Sequence, residues 1–175
     1  DIDLRQRFAM MVSYEIPYGG SLHGITGLLA KGWQVNGIVA IQTGQTFSIQ
    51  NSSSRANTGS GDRPNLIGDP YSIAQTPNSW FNTTAFAPQS LYTLGTVGRN
   101  TMFGPPMKNV DFSAFKNFQL KERTSLQFRA EFFNVLNHPN FGQPGNSLGT
   151  ATFGVVSSTG NNLSRNVQMA LKLLF

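Results

Sequence analysis

The sequence predicts an all-β protein of the antiparallel transmembrane-barrel class, and three observations carry that prediction. Alternation of apolar and polar residues with a period of two recurs in five segments, while helical periodicity is poor throughout. Each segment can be read as roughly eleven residues, close to what a tilted strand needs to cross a bilayer. The connections alternate in length (moderate, very long, tight, long), as in outer-membrane barrels with short periplasmic turns and long outer loops.

The first segment, residues 7–17, places Phe8, Met10, Val12, Tyr14 and Ile16 on one face and Ala9, Met11, Ser13 and Glu15 on the other. A Gly-containing connection, "YGGSLHGITGLLAKG", leads to the second, residues 33–49, where Trp33, Val35, Val39 and Ile41 oppose Gln34, Asn36 and Gln42. Residues 51–109 then read as one long outer loop, crowded with "NSSSRANTGSGDRPN" and "GRNTMFGPPMKN". Loops of this length are uncommon in compact domains and point to function or to an unusual environment.

In the third segment, residues 110–120, Val110, Phe112, Ala114, Phe118 and Leu120 oppose Asp111, Ser113, Asn117 and Gln119. Lys116 falls on the oily face, where its amine would have to snorkel out of lipid. The tight polar turn "LKER" returns the chain as a hairpin into residues 124–137, with Leu126, Phe128, Ala130 and Phe132 against Gln127, Arg129 and Glu131. A second outer loop, residues 138–164, precedes the last strand, residues 165–175, which ends on "VQMALKLLF".

Composition narrows the functional classes. Charged residues make up only 12% and the chain has no Cys and two His, so disulfides, thiolate metal sites and cysteine nucleophiles are excluded. The net charge of +5 is spread singly along the chain rather than clustered, which argues against nucleic-acid binding. Asn-rich loops generate the sequons at Asn51, Asn82 and Asn162 by chance. No G-x-S-x-G elbow occurs, and His23 and His138 lie in connections on opposite sides, so neither an enzyme nor a bound cofactor or metal is expected. The start, "DIDLRQRF", carries neither an initiator Met nor a signal peptide, and the chain is expected to be a piece of a longer protein.

A soluble β-sandwich shows the same alternation, with an inner face packed on a second sheet. Three features favour the membrane. The polar faces carry mostly Gln, Asn, Ser, Ala and Gly rather than the Lys and Glu of wet surfaces. Tyr14, Trp33, Phe118 and Phe175 all fall toward the periplasmic end, forming part of an aromatic girdle. The last strand also ends without a polar tail. Because unpaired backbone groups in lipid cost several kcal/mol each, the strands must close. Five are too few, since even eight leave an interior just wide enough for side chains. The segment is therefore expected to be the last part of a larger barrel in the bacterial outer membrane, unstable or aggregating alone.

The stretches "GDRPNLIGDP", "WFNTTAFA", "GRNTMFGPPMKNVDFSAFKNF", "LQFRAEFFNVLNHPNFGQP" and "FGVV", with the terminal strand, resemble the carboxy-terminal end of TonB-dependent outer-membrane receptors. The nearest branch is the Oar-like group, which carries a carboxypeptidase-regulatory-like domain at its amino end. The similarity covers essentially the whole chain, with "RAEFFNVLNHPNF" the most specific element; "GPPMKN" departs from the more usual Gly-Pro-Gly. The resemblance implies a barrel of about twenty-two strands, an amino-terminal plug, and energising by an inner-membrane complex through a TonB box. Plug, box and regulatory-like domain are absent from these residues.

Four groups of candidate site residues follow. Val167, Met169, Leu171, Leu173 and Phe175 form a strand that resembles the barrel-assembly signal of that family, recognised by strand pairing. Arg129 and Glu131 share a polar face and Asp111 can lie across the hairpin, giving either a lumenal network or a structural ion pair. Tyr14, Trp33, Phe118 and Phe175 form the girdle. Arg55, Asp62, Arg63, Trp80, Phe81 and Arg99 are the possible ligand contacts of the long loop. The expected role is wall and outer rim of a nutrient-uptake channel for a carbohydrate, peptide or metal chelate. Expected partners are membrane lipid, the assembly machinery, the TonB complex and a small-molecule or oligomeric substrate. A non-transporting adhesion barrel and a soluble β-rich binding domain are the alternatives.

Overall fold

A computed structural model describes residues 3–59, 61–160 and 164–175. The sequon at Asn162 and residues 161–163 of the second predicted loop lie outside the described residues. In chain order the elements are β1 (Arg7–Ile16), α1 (Gly24–Ala30), β2 (Trp33–Gln42), β3 (Thr46–Phe47), β4 (Gln50–Asn51), β5 (Asn65–Leu66), a 3₁₀ turn (Thr83–Ala85), β6 (Phe86–Ala87), β7 (Met102–Phe103), β8 (Met107–Lys121), β9 (Thr124–Phe133), β10 (Ser147–Leu148) and β11 (Asn166–Leu174). They fall into two units, one holding Arg7–Ile41, Lys108–Pro139 and Ser164–Phe175, the other Asp1–Gln6, Gln42–Met107 and Asn140–Leu163.

The first unit is a five-stranded sheet in the order β1-β2-β8-β9-β11. Its registers keep like faces together. Phe112, Ala114, Lys116 and Phe118 of β8 stand opposite Phe132, Ala130, Phe128 and Leu126 of β9. Those β9 residues in turn face Val167, Met169, Leu171 and Leu173 of β11, giving one continuous, mainly apolar surface. The intervening residues line up the same way: Ser113, Glu131 and Gln168 form one polar row, and Asn117, Gln127 and Lys172 another. Between β8 and β9 only Glu122 and Arg123 turn the chain, with a register shift at Gln119/Lys121.

Three strands differ from expectation by more than a residue at an end, and one connection holds an unexpected helix. The second strand stops at Gln42 rather than 49, because Phe47 and Ile49 enter a core. The fourth stops at Phe133, since Asn134 takes a positive φ of 48°, a conformation Asn tolerates and extended strands do not use. The third is longer, at fifteen residues. The connection before β2 contains a helix that its two glycines, Gly24 and Gly27, conceal in sequence.

The second unit replaces the two predicted outer loops. Residues from 51–109 and 138–164 join Phe47 and Ile49 around one hydrophobic core of Trp80, Phe81, Ala85, Phe86, Val97, Met102 and Val156, with Phe141, Leu148 and Phe153 packed against it. Phe81 is its centre, wholly buried, with edge-on contacts at 5.6 Å to Phe86 and 5.1 Å to Phe153. Three two-stranded ladders tie the segments: β3 with β7, β5 with β6, and β4 with β10. The last is parallel and joins the two loops directly, pairing Gln50 with Ser147 and Asn51 with Leu148. Backbones approach so closely that a Cβ at Gly95 would collide with the carbonyl oxygens of Arg63 and Pro64.

Truncating the central ring tests this core. In the full-length protein Phe81→Ala should destabilise the loop unit by about 3–5 kcal/mol. Limited proteolysis should then cut within residues 51–109, while heat-modifiable gel migration of the barrel stays unchanged.

Candidate functional site

The polar face of the sheet is knitted by neutral side chains across three strands. The Ser13 hydroxyl donates to Asn36 Oδ1 at 2.8 Å, Gln34 Nε2 donates to both groups at 3.0 Å, and Asn36 Nδ2 donates to Ser113 Oγ at 3.2 Å. Gln127 Nε2 donates to Asn117 Oδ1 at 2.9 Å. Arg129 pairs with Glu131 at 2.8 Å along its own strand and lies 4.4 Å above the Phe115 ring. The two charges are thus joined to each other on the polar face.

Asp111 is not part of that pair. The register sets Ser113, not Asp111, opposite Glu131. Asp111 Oδ1 instead accepts from Asn109 Nδ2 at 2.9 Å and from the Asn134 backbone N–H at 2.8 Å, anchoring the turn that ends β9. The same turn explains "RAEFFNVLNHPNF" in physical terms. Asn134 and Asn137 both hold positive φ, and the Asn134 amide bonds the N–H and C=O of His138, each at 3.0 Å. Asn137 Oδ1 accepts from the Arg165 N–H at 3.1 Å, fixing the entry to β11. His138 serves through its backbone.

Strand β11 forms one edge of the sheet and β1 the other. Val167, Met169, Leu171 and Leu173 are all substantially exposed, and Phe175, just past the end of β11, is 98% exposed. Among the girdle residues, Trp33 and Phe118 flank one another around the Lys116 ammonium, at 5.7 and 4.7 Å from the ring centres. Tyr14 lies two residues before the end of β1 and is exposed. Lys116 does not snorkel: it is buried, and its Nζ donates to the backbone carbonyl of Lys31.

In the loop unit a cavity of about 370 Å³ is lined by Ser48, Gln50, Asp62, Arg63, Gln89 and Arg99, among others. Arg63 and Arg99 are exposed there. Asp62 is buried and committed to structure: it accepts from the N–H groups of Ala56, at 2.7 Å, and Arg55, and from the Thr58 hydroxyl. Those backbone donors, Ala56 first, hold its carboxyl below the ordinary carboxylate range. Arg55 Nε donates to the Gln89 carbonyl at 2.6 Å. Trp80 and Phe81 are corrections to the ligand-contact list, because both belong to the core and Trp80 Nε1 is satisfied by the Phe103 carbonyl at 2.8 Å. Ser48, Gln50 and Gln89 were missed, since uncharged polar residues in an Asn/Ser-rich chain carry no signal of their own.

The profile of the outer membrane beta barrel domain matches residues 1–168. The chain belongs to that family. No curated protein and no solved structure matches the chain. As a member of the family it is a protein of the bacterial outer membrane, and its five-stranded open sheet is a stretch of barrel wall. The soluble-domain alternative is thereby excluded.

The carboxylate of Asp62 gives a pH-dependent handle on the loop unit of this barrel protein. A depressed folded pKa adds stability above the unfolded value of 3.8 and loses it as pH falls through the folded one. Hydrogen exchange at the Arg55 and Ala56 amides, corrected for intrinsic rate, should therefore stay protected near neutrality and lose protection below pH 3.8. Asp62→Ala should abolish that protection at neutral pH.

Proposed function

We propose that this chain is the carboxy-terminal wall and outer rim of a TonB-dependent transporter, its apolar sheet face meeting membrane lipid and its polar face lining the lumen. The observation that carries the reading is the in-register separation of faces: Phe112, Phe132 and Val167 run across three strands while Ser113, Glu131 and Gln168 run behind them. A barrel strand needs that division, with lipid on one side and a wet interior on the other. The TonB-dependent, Oar-like assignment rests on the motif resemblance. Inside such a lumen, mostly neutral hydrogen-bonding groups would offer weak, exchangeable contacts rather than tight charge pairing.

On this proposal the loop unit faces the outside and selects the solute. Its Arg63 and Arg99 at a cavity of about 370 Å³ fit a polar or anionic nutrient, which keeps carbohydrate, peptide and metal chelate within range. The reading assigns the chain neither a catalytic step nor a cofactor. Its partners are lipid, the barrel-assembly machinery, the solute and, through an upstream plug and box, the TonB complex. The adhesion alternative draws on a different observation: the outer segments share a hydrophobic core, and a rigid folded unit suits display to a macromolecular partner as well as gating.

Uptake separates the two. Cells making the full-length protein should accumulate a polar nutrient only while TonB is present; binding without TonB-dependent accumulation would favour adhesion.

The terminal strand is proposed as the assembly signal, and its edge position leaves it open to strand pairing. Deleting Phe175 from the full-length protein should lower the outer-membrane yield, measured by heat-modifiable band intensity, several-fold relative to intact protein. An unchanged yield would remove the signal role.

A further inference from the structure

The connection between β1 and β2 is built inside out. On α1 the apolar stripe Ile25, Leu28 and Leu29 follows the i, i+3, i+4 spacing of one helix face, yet these residues are 77%, 47% and 59% exposed. The small residue Gly27 is the one buried, and a Cβ there would meet the Leu22 carbonyl oxygen at 2.5 Å. A helix of seven residues with two glycines is marginal in water by itself. Something must cover the stripe it turns outward.

Two donors on the apolar sheet face fix where the helix ends. Trp33 Nε1 donates to the Leu29 carbonyl at 2.9 Å, and Lys116 Nζ donates to the Lys31 carbonyl. Both side chains belong to apolar rows: Trp33 alternates with Gln34, and Lys116 stands opposite Phe128. The cation also neutralises the partial negative charge where helical carbonyls run out. The carboxyl end of α1 is thus drawn toward the apolar face, beside Trp33 and Phe118. This is the rim at which β8 turns into β9 and β11 ends opposite Ser125. Residues 17–32 contain no Asp or Glu, and Lys31 follows the helix. Tyr18, 70% exposed, precedes it.

We propose that α1 is an interfacial membrane anchor, with Ile25, Leu28 and Leu29 seated among the acyl chains of the phospholipid leaflet at this rim. It rests on the proposal that the apolar face meets lipid and extends that contact beyond the strands. Trp, Tyr and Lys at the edge of an apolar surface, with no acidic residue to repel phosphate headgroups, are the side chains that such an interface favours. Lys116 then works as the hinge pin, its charge spent on the helix rather than on water.

The test uses full-length protein with a single labelling cysteine, reconstituted in phosphatidylcholine bilayers. The environment-sensitive dye is attached through Ile25→Cys, through Leu29→Cys, or through Phe112→Cys as a wall control. A doxyl group near the headgroup should quench both helix probes at least about twofold more than one deep in the chain, because interfacial helices sit about 5–10 Å into the boundary. Aqueous iodide should leave them unquenched. If iodide reaches the helix probes while Phe112→Cys stays lipid-quenched, the anchor is wrong and the lipid-facing wall survives. If the wall probe is also open to iodide, the wall reading itself fails. Helix probes quenched by neither reagent would mean that protein covers the stripe, which also overturns the proposal.

Discussion

Everything in the sheet depends on register between antiparallel strands. In a bilayer the backbone has no water to bond, so each N–H and C=O must be paired by a neighbouring strand, at a cost of several kcal/mol for any left open. Pairing alone does not choose faces; a slip of one residue would turn every side chain over. Here Met169 meets Ala130 and Ala130 meets Ala114, so the three strands present the same face at the same height. Once that register holds, Arg129 and Glu131 share the polar side with Ser113 and Gln168, and Asp111 is carried past them to the turn. The ion pair is a consequence of register, and so is the exclusion of Asp111 from it.

The loop unit obeys a different rule. It brings together segments far apart in sequence, and burial of aromatic rings supplies what strand pairing supplies in the wall. Phe47, Phe81, Phe86 and Phe153 are a small number of large side chains, but edge-on packing among Phe81, Phe86 and Phe153 and a tilted contact from Phe47 to Phe81 add to the area they remove from water. Short ladders of two residues per strand would be weak alone. They serve to bring the rings together, as the β4–β10 pair does by binding one loop segment to the other.

This contrast explains what was legible in the sequence. Wall strands announce themselves because a two-residue period repeats for nine residues or more; β1, β2, β8, β9 and β11 fall on the segments read from it, and the registers of β8, β9 and β11 hold the alternating rows together. The aromatic core was not found, because Trp80 and Phe81 sit in stretches with no period, where an apolar residue reads equally as a ligand contact. Their burial is set by partners some seventy residues away, such as Phe153 and Val156. Helix α1 was missed for the opposite reason: Ile25, Leu28 and Leu29 have the right spacing, but seven residues with two glycines fall below the length at which such spacing stands out. Asp62 was picked for its charge, and the charge proved to hold backbone together.

Lys116 shows how the two kinds of constraint meet. On alternation alone it is an error, a cation in a row of Phe112, Ala114 and Phe118, and an isolated ammonium in hydrocarbon is costly. The cost is lowered by groups that the pleat itself brings near: two aromatic faces and a carbonyl at the end of α1. Methionine at this position would fit the row better and satisfy none of them, leaving the Lys31 carbonyl without its donor where water is scarce. A departure from alternation is therefore informative in a barrel wall. It marks the place where a strand residue is bound to something outside the sheet, and here that something is the helix joining β1 to β2.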